Sequence, residues 1–129
     1  TNKVIGENFL KENKKKKAVQ TTISGLQYIV LKQGEGKKPE SADDTVKVHY
    51  QGTTIDEKII DSSLSRGEPL EVTLKGVIKG WTEGLQLMVV GEKTRLFIPS
   101  ELAYGDRAAG TIGPGSTLIF DVELLAINN

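Results

Sequence analysis

The residue best placed to build a site is Trp81, the single tryptophan of the chain. It lies in Gly76-Val-Ile-Lys-Gly80-Trp81-Thr-Glu-Gly84-Leu85, where a glycine-flanked loop turns into a short amphipathic helix. A buried tryptophan brings a large apolar surface and usually needs a partner for its ring N–H, so this position suits either a core or a pocket floor. Chemistry that needs a nucleophile finds little material. Cysteine is absent, which excludes a disulfide framework, Cys-ligated zinc and a thiol nucleophile. The one histidine, His49, falls on the polar face of a strand pattern, and no serine sits in a Gly-x-Ser-x-Gly elbow. Asp43-Asp44 is followed by no calcium-loop spacing and most other acids are scattered, so no metal is expected. Neither a dinucleotide fingerprint nor a phosphate loop appears among the glycines, and no cofactor is expected.

What remains is an apolar site with few polar groups. That points to ligand binding or to a reaction without a nucleophile, and rotation about an amide bond is such a reaction. Its barrier of about 18–20 kcal/mol comes from resonance that places charge on oxygen. The twisted state is less charge-separated and suits an apolar cleft better than water. The residues by themselves are compatible with this chemistry and do not select it over a packed core.

The elements that must position such a site can be read from periodicity. Leu26–Leu31 is short, apolar and β-prone, and ends at Gly34-Glu-Gly36. Thr45–Gln51 alternates, with Val46, Val48 and Tyr50 on one face and Lys47, His49 and Gln51 on the other. Asp56-Glu-Lys58 makes a polar turn before Ile59-Ile60-Asp61, and Leu70–Leu74 reads as another short strand. The helix after Gly76 is expected to place Val77, Trp81, Leu85 and Met88 on one stripe. Lys93–Ile98 is a strand stopped by Pro99, and Thr117–Leu125 a long one with Leu118, Phe120, Val122 and Leu124 on one face; a Gly-rich loop, Gly105 to Gly115, joins them. The expected fold is therefore α+β, with several antiparallel strands curled around one central helix.

Ahead of these, Val4, Ile5, Phe9 and Leu10 lead into Lys11-Glu-Asn-Lys-Lys-Lys-Lys17, and residues 3–17 read as a helix with the lysines on a solvated face. At 129 residues the chain is one domain's worth, and 17 basic residues balance 17 acidic ones, so no global field favours nucleic acid. No apolar run approaches the roughly 20 residues that span a bilayer. The chain opens at Thr1 rather than Met, which is consistent with an upstream segment.

From about Ser24 to Ile127 the chain resembles the FKBP family of peptidyl-prolyl isomerases. The resemblance rests on Val48-His-Tyr50, Ile60-Asp-Ser-Ser63, Arg66-Gly-Glu-Pro69, Val77-Ile-Lys-Gly-Trp81, Leu102-Ala-Tyr-Gly105 and Phe120-Asp-Val-Glu-Leu124, in family order and at family spacing. It implies a curled antiparallel half-barrel wrapped across a short helix, over residues 23–129. It also implies an activity, acceleration of cis/trans rotation of X–Pro bonds, with proline-containing polypeptides as substrates and macrolides of the rapamycin type as inhibitors. Carried across by position, Trp81 becomes the floor of a prolyl pocket, with Tyr50, Phe120, Val77, Ile78 and Leu70 as walls. Tyr104 offers a hydroxyl from the rim, the Ile78 N–H meets a bound carbonyl, and the Asp61 carboxylate lies beside the twisting amide. The loop Asp106–Gly115, with Ile112 near its middle, overhangs the pocket. Most active relatives carry Phe where this chain has Ile60, which removes an aromatic wall and buried area worth about 1 kcal/mol. A non-catalytic module that holds Pro-containing segments, and a chaperone for unfolded chains, are the competing readings.

Gly6-Glu-Asn-Phe-Leu10, the lysine-rich stretch and Ser24-Gly-Leu-Gln-Tyr28 resemble the macrophage infectivity potentiator branch of that family. The resemblance makes residues 1–22 a helical extension, the end of a dimerisation stalk. It implies a monomer for these residues and a homodimer for a longer parent chain. That branch occurs in the bacterial periplasm or cell envelope and also in the cytoplasm.

Overall fold

Alternating apolar residues in two long segments make the strands on which the rest is built. The computed structural model describes residues 2–110 and 112–128, so Thr1, Thr111 and Asn129 lie outside the description. The strands are β1 (Gln20–Thr21), β2 (Gln27–Lys32), β3 (Thr45–Thr54), β4 (Ile59–Ser62), β5 (Leu70–Thr73), β6 (Lys93–Ile98) and β7 (Leu118–Asn128). The helices are α1 (Asn2–Asn13), α2 (Ser63–Arg66) and α3 (Lys79–Leu85). All strands join one antiparallel sheet in the order β1-β2-β6-β7-β3-β4, with β5 also paired to β3. This is the α+β architecture expected: an open sheet curled about one short helix, with an N-terminal helix added.

The period of two decides the faces. Val46, Val48 and Tyr50 of β3, Leu96 and Ile98 of β6, and Leu118, Phe120, Val122 and Leu124 of β7 all point inward and are buried, together with Leu26. Register shifts absorb irregularities without breaking this: beyond the shift at Lys47/Val48, Val48 faces Leu124 and Tyr50 faces Val122. Partnering of β3 is divided. Thr45–Val48 pair with β5, Gln51–Thr53 pair with β4, and between them the chain leaves the sheet as α2. The gap is filled by Ser63, whose buried hydroxyl accepts from Tyr50 N (2.7 Å), donates to Tyr50 O (3.2 Å) and bonds His49 Nδ1 (2.9 Å).

Helix α3 is shorter than the stripe Val77, Trp81, Leu85 and Met88 predicts. It contains only Trp81 and Leu85 of that set; Val77 precedes its N-cap and Met88 lies in the turn after it. Trp81, Leu85 and Met88 are all buried, so the stripe exists but ordinary helix spans only its middle. The glycines explain both the shortness and the seat. A Cβ on Gly80 would lie 2.6 Å from Ile98 Cγ2, and one on Gly84 2.9 Å from both Leu96 methyls. Only a helix bare at these two positions can come this close to β6. The Thr82 hydroxyl bonds the Leu74 carbonyl and ties the helix to the preceding turn.

Helix α1 also ends earlier than expected, at Asn13 rather than Lys17. Buried Asn13 donates to Gln27 Oε1 (2.8 Å), and Gln27 Nε2 donates to the Leu10 carbonyl (2.9 Å), so side chains of the domain close the helix end. Lys14–Lys17 accordingly lie in exposed turns instead of on a helical face. Of the apolar strip, Phe9 packs on Phe97 at 6.0 Å between ring centroids, whereas Ile5 is exposed.

Gly80→Ala adds helix propensity but drives a methyl into the stiff, buried Ile98. Overpacking should win, with a net loss of about 1–2 kcal/mol read from the urea midpoint. Gly84→Ala, which meets only the flexible end of Leu96, should cost less.

Candidate functional site

The aromatic cluster forms where α3 meets the inward faces of β3 and β7. Trp81 stands edge-on to both neighbours: its ring centroid is 5.0 Å from Tyr50 at 80° and 5.3 Å from Phe120 at 88°. Tyr50 and Phe120 are 6.2 Å apart. Such T-shaped pairs are favourable beyond the area they bury. Above them opens a cavity of about 470 Å³ lined by Tyr50, Asp61, Leu70, Gly76, Val77, Ile78, Trp81, Tyr104 and Phe120. Its walls come from β3, β4, β5 and β7, from α3 and its approach, and from the loop after β6. The indole N–H is buried with no hydrogen-bond partner among the described residues, contrary to the sequence expectation. An unpaired buried donor costs about 1–3 kcal/mol.

One side of the cavity is charged. The Tyr50 hydroxyl donates to Asp61 Oδ2 (2.6 Å), Arg66 Nη1 donates to Asp61 Oδ1 (2.6 Å), and Arg66 Nη2 donates to the Tyr50 oxygen (2.8 Å). The Ser62 N–H adds a bond to Asp61 Oδ1 (2.9 Å), and the Arg66 guanidinium stacks 5.6 Å from the Tyr50 ring centroid. Burial alone would push the Asp61 carboxyl up; hydrogen bonds from Tyr50 and Arg66, with the charge of Arg66, outweigh it and hold the group below its usual range. Burial, reinforced by the bond to Asp61, pushes the Tyr50 phenol up. Asp61 is thus a fixed negative charge with its acceptor positions largely used, which suits electrostatic work better than proton transfer. At the start of α3, the Ile78 N–H has no acceptor among the described residues, and Tyr104 is an exposed phenol on the rim.

Eight of the residues singled out from sequence, Tyr50, Asp61, Leu70, Val77, Ile78, Trp81, Tyr104 and Phe120, line this one cavity. Ile60 and Ile112 do not. Ile60 alternates away from Asp61 along β4 and packs half-buried against the core, and Ile112 is itself buried, bridged to Ala109. Gly76 was not singled out as a site residue, although it begins the quoted Trp81 segment. Arg66 entered only as the first residue of the Arg66-Gly-Glu-Pro69 motif, since nothing in a strand-then-turn pattern tells that α2 folds it back over Tyr50. Among the described residues no group of acids and histidine could hold a metal ion, and no helix is long and apolar enough to cross a membrane.

Comparison with known proteins gives a consistent result. Residues 35–125 match the family described as FKBP-type peptidyl-prolyl cis-trans isomerase, and residues 1–30 match the domain amino terminal to it. The chain is 56% identical over 126 residues to the FKBP-type isomerase FkpA of Aeromonas hydrophila, covering 98% of this chain and 47% of that protein. It is 45% identical over 127 residues to the outer membrane protein MIP of Legionella longbeachae, covering 98% and 54%. The crystal structure of FkpA from Escherichia coli superposes with a TM-score of 0.94 at 48% identity, covering 98% of this chain and 59% of that one. A peptidyl-prolyl isomerase structure from Pseudomonas syringae gives 0.92 at 38% identity, covering 99% and 94%. The chain spans about half the length of the curated relatives it matches.

The two perturbed groups predict opposite limbs of a stability profile. With the folded pKa of Asp61 depressed, its contribution is complete above the unfolded carboxyl value and is lost as pH falls through the folded one. The Tm gap between wild type and Asp61→Asn should therefore narrow as pH drops below about 4. With that of Tyr50 raised, its contribution is complete below the unfolded phenol value and is lost as pH rises toward the folded one. Wild type should then lose Tm above about pH 10 faster than Tyr50→Phe.

Proposed function

The chain belongs to the FKBP-type peptidyl-prolyl cis-trans isomerase family, and from that premise we propose that it accelerates rotation of X–Pro bonds in polypeptides by holding the prolyl segment in the Trp81 cavity. The observation that carries the reading is the cavity's composition: an aromatic floor and apolar walls with one ionised carboxylate at the lip. A proline ring is the apolar, compact group such a floor accepts. Uncatalysed X–Pro rotation takes tens to hundreds of seconds and limits many folding reactions.

In this mechanism the prolyl ring lies on Trp81 between Tyr50 and Phe120, with Leu70, Val77 and Ile78 completing the walls. The Ile78 N–H donates to a carbonyl of the bound segment and the Tyr104 hydroxyl adds a second polar contact from the rim. Removing the amide from water favours its less charge-separated twisted state, and the charge of Asp61 lies beside the rotating bond. No nucleophile is used and no proton changes owner. Ile60 and Ile112 act from the margin, Ile60 in place of an aromatic wall and Ile112 by holding the overhanging loop. Macrolides of the rapamycin type are proposed as competitors for the same cavity. Ile60 also favours a second reading, in which the cavity binds Pro-containing segments without accelerating their rotation.

The test is the isomerisation rate of Ala-X-Pro-Phe peptides, measured with rapamycin titrations and with Asp61→Ala and Trp81→Leu variants checked for folding. Catalysis blocked by rapamycin, and kcat/KM reduced on the order of tenfold or more in each variant, is the expected result. Peptide binding with no acceleration selects the second reading. Ile60→Phe should preserve or raise kcat/KM; a large fall in a folded protein overturns this account of the margin.

A further inference from the structure

Helix α1 covers the outer face of the sheet, where Phe9 meets Phe97, and contributes no residue to the core cluster among the described residues. Yet one face of its first turns touches the chain that frames the cavity rim. Asn2 Nδ2 donates to the Pro114 carbonyl (3.1 Å). The Lys3 backbone lies against Gly115, where a Cβ would come within 3.2 Å of Lys3 N. Gly6, buried in the helix interior, lies against Thr117: a Cβ there would sit 3.1 Å from Thr117 Cβ and closer still to its Oγ1. Glycine weakens a helix interior relative to alanine, and this contact is what its place in α1 accomplishes.

The same stretch continues into the cavity. The Gly115 N–H donates to the Gly105 carbonyl (2.8 Å) and the Gly105 N–H to Ser100 O (2.7 Å), which sets the chain at Tyr104 on the rim. Ala109 and Ile112 exchange a pair of backbone bonds (3.0 and 2.9 Å), and Ser116 Oγ closes on Gly113 O (2.7 Å). Thr117 directly precedes β7 and lies three residues before the cavity wall Phe120. Thr117 is 4% exposed and Leu118 fully buried, so a larger side chain at position 6 finds no room and must lift the helix.

We infer that the docking of α1 on Gly113–Thr117 positions the rim of the proline cavity from the opposite side of the sheet, with Gly6 and Thr117 as positioning residues for substrate affinity and for the choice of residue X. The substrate part rests on the isomerase reading; the positioning itself does not. Undocking α1 removes the backing of the loop and leaves the core whole.

The test uses the 129-residue chain with Gly6→Leu, Gly6→Ala, Thr117→Ala and the Gly6→Ala/Thr117→Ala pair. Amide hydrogen exchange is followed at Gly105, Ile112 and Gly115, against β6 and β7 as reference. Gly6→Leu should raise exchange at those three amides about tenfold with the sheet unchanged. On Ala-X-Pro-Phe peptides KM should rise about tenfold while kcat moves less, and the preference among X should flatten. Thr117→Ala alone should raise loop exchange and KM less than Gly6→Leu does, and the Gly6→Ala/Thr117→Ala pair should fall back toward wild type. That size exchange assigns the effect to this contact, while the KM-against-kcat split is what a merely structural role would not move. Unchanged loop exchange in folded Gly6→Leu overturns the inference, as does a rise spread evenly over the sheet. If Gly6→Leu does not fold, the Gly6→Ala and Thr117→Ala cycle decides. A wild type that turns over no peptide sinks the isomerase reading alone, because the exchange comparison needs no substrate.

Discussion

The contact between two helical glycines and strand β6 sets the depth of everything above it. A two-turn helix has no stability of its own in water, so α3 exists because it is pressed against Leu96 and Ile98. Trp81 directly follows Gly80, so the contact that seats the helix also fixes the height of the indole between Tyr50 and Phe120. The helix start then brings Ile78 and Val77 to the cavity mouth without any further device. Core and site share the same atoms here: the rings that close the hydrophobic interior are the rings that floor the cavity.

The polar side is assembled differently, from three elements that approach each other only because β3 changes partner. Tyr50 comes from β3, Asp61 from β4 and Arg66 from α2, the excursion made where β4 ends. The ring of hydrogen bonds satisfies each charged or phenolic group before any ligand arrives. What it leaves toward the cavity is an oriented charge next to an apolar floor. His49, which in another setting could act as an acid or base, is committed to Ser63 at the break in the ladder. The contrast is with Trp81, whose N–H is left without a partner among the described residues; apart from Asn13 Oδ1 at the end of α1, it is the buried side-chain polar atom left uncompensated there, and it lies at the floor of the site.

Much of this was legible in the sequence because its signals are local. Alternation in β3 and β7 gave their inward faces, and Pro99 and the glycine pairs marked the ends. The residues around Trp81 declared a loop-to-helix junction, and the family resemblance supplied the partners that no spacing could join. What escaped is non-local. The stripe from Val77 to Met88 has helical spacing, but the chain needs only its middle as helix once Gly80 and Gly84 have met the sheet. The lysine run has the composition of a helical face, yet Asn13 and Gln27 stop the helix before it. The place of Arg66 over Tyr50, and the retreat of Ile60 and Ile112 from the cavity surface, depend on which way a strand or loop turns after it leaves the sheet.

The divided partnering of β3 has a consequence for solubility. Had one long strand covered β3 from end to end, it would itself have presented a long outer edge of unpaired N–H and C=O groups. Instead that side ends in two strands of four residues each, separated by α2, and the other side of the sheet ends in β1, two residues long. Short, interrupted edges are poor templates for strand addition. On the proposed isomerase reading, which brings the domain against extended polypeptide, this protection matters more than for most domains. Margins this short recruit a passing chain poorly as another strand, and on that reading the side-chain cavity is left as the place to engage it.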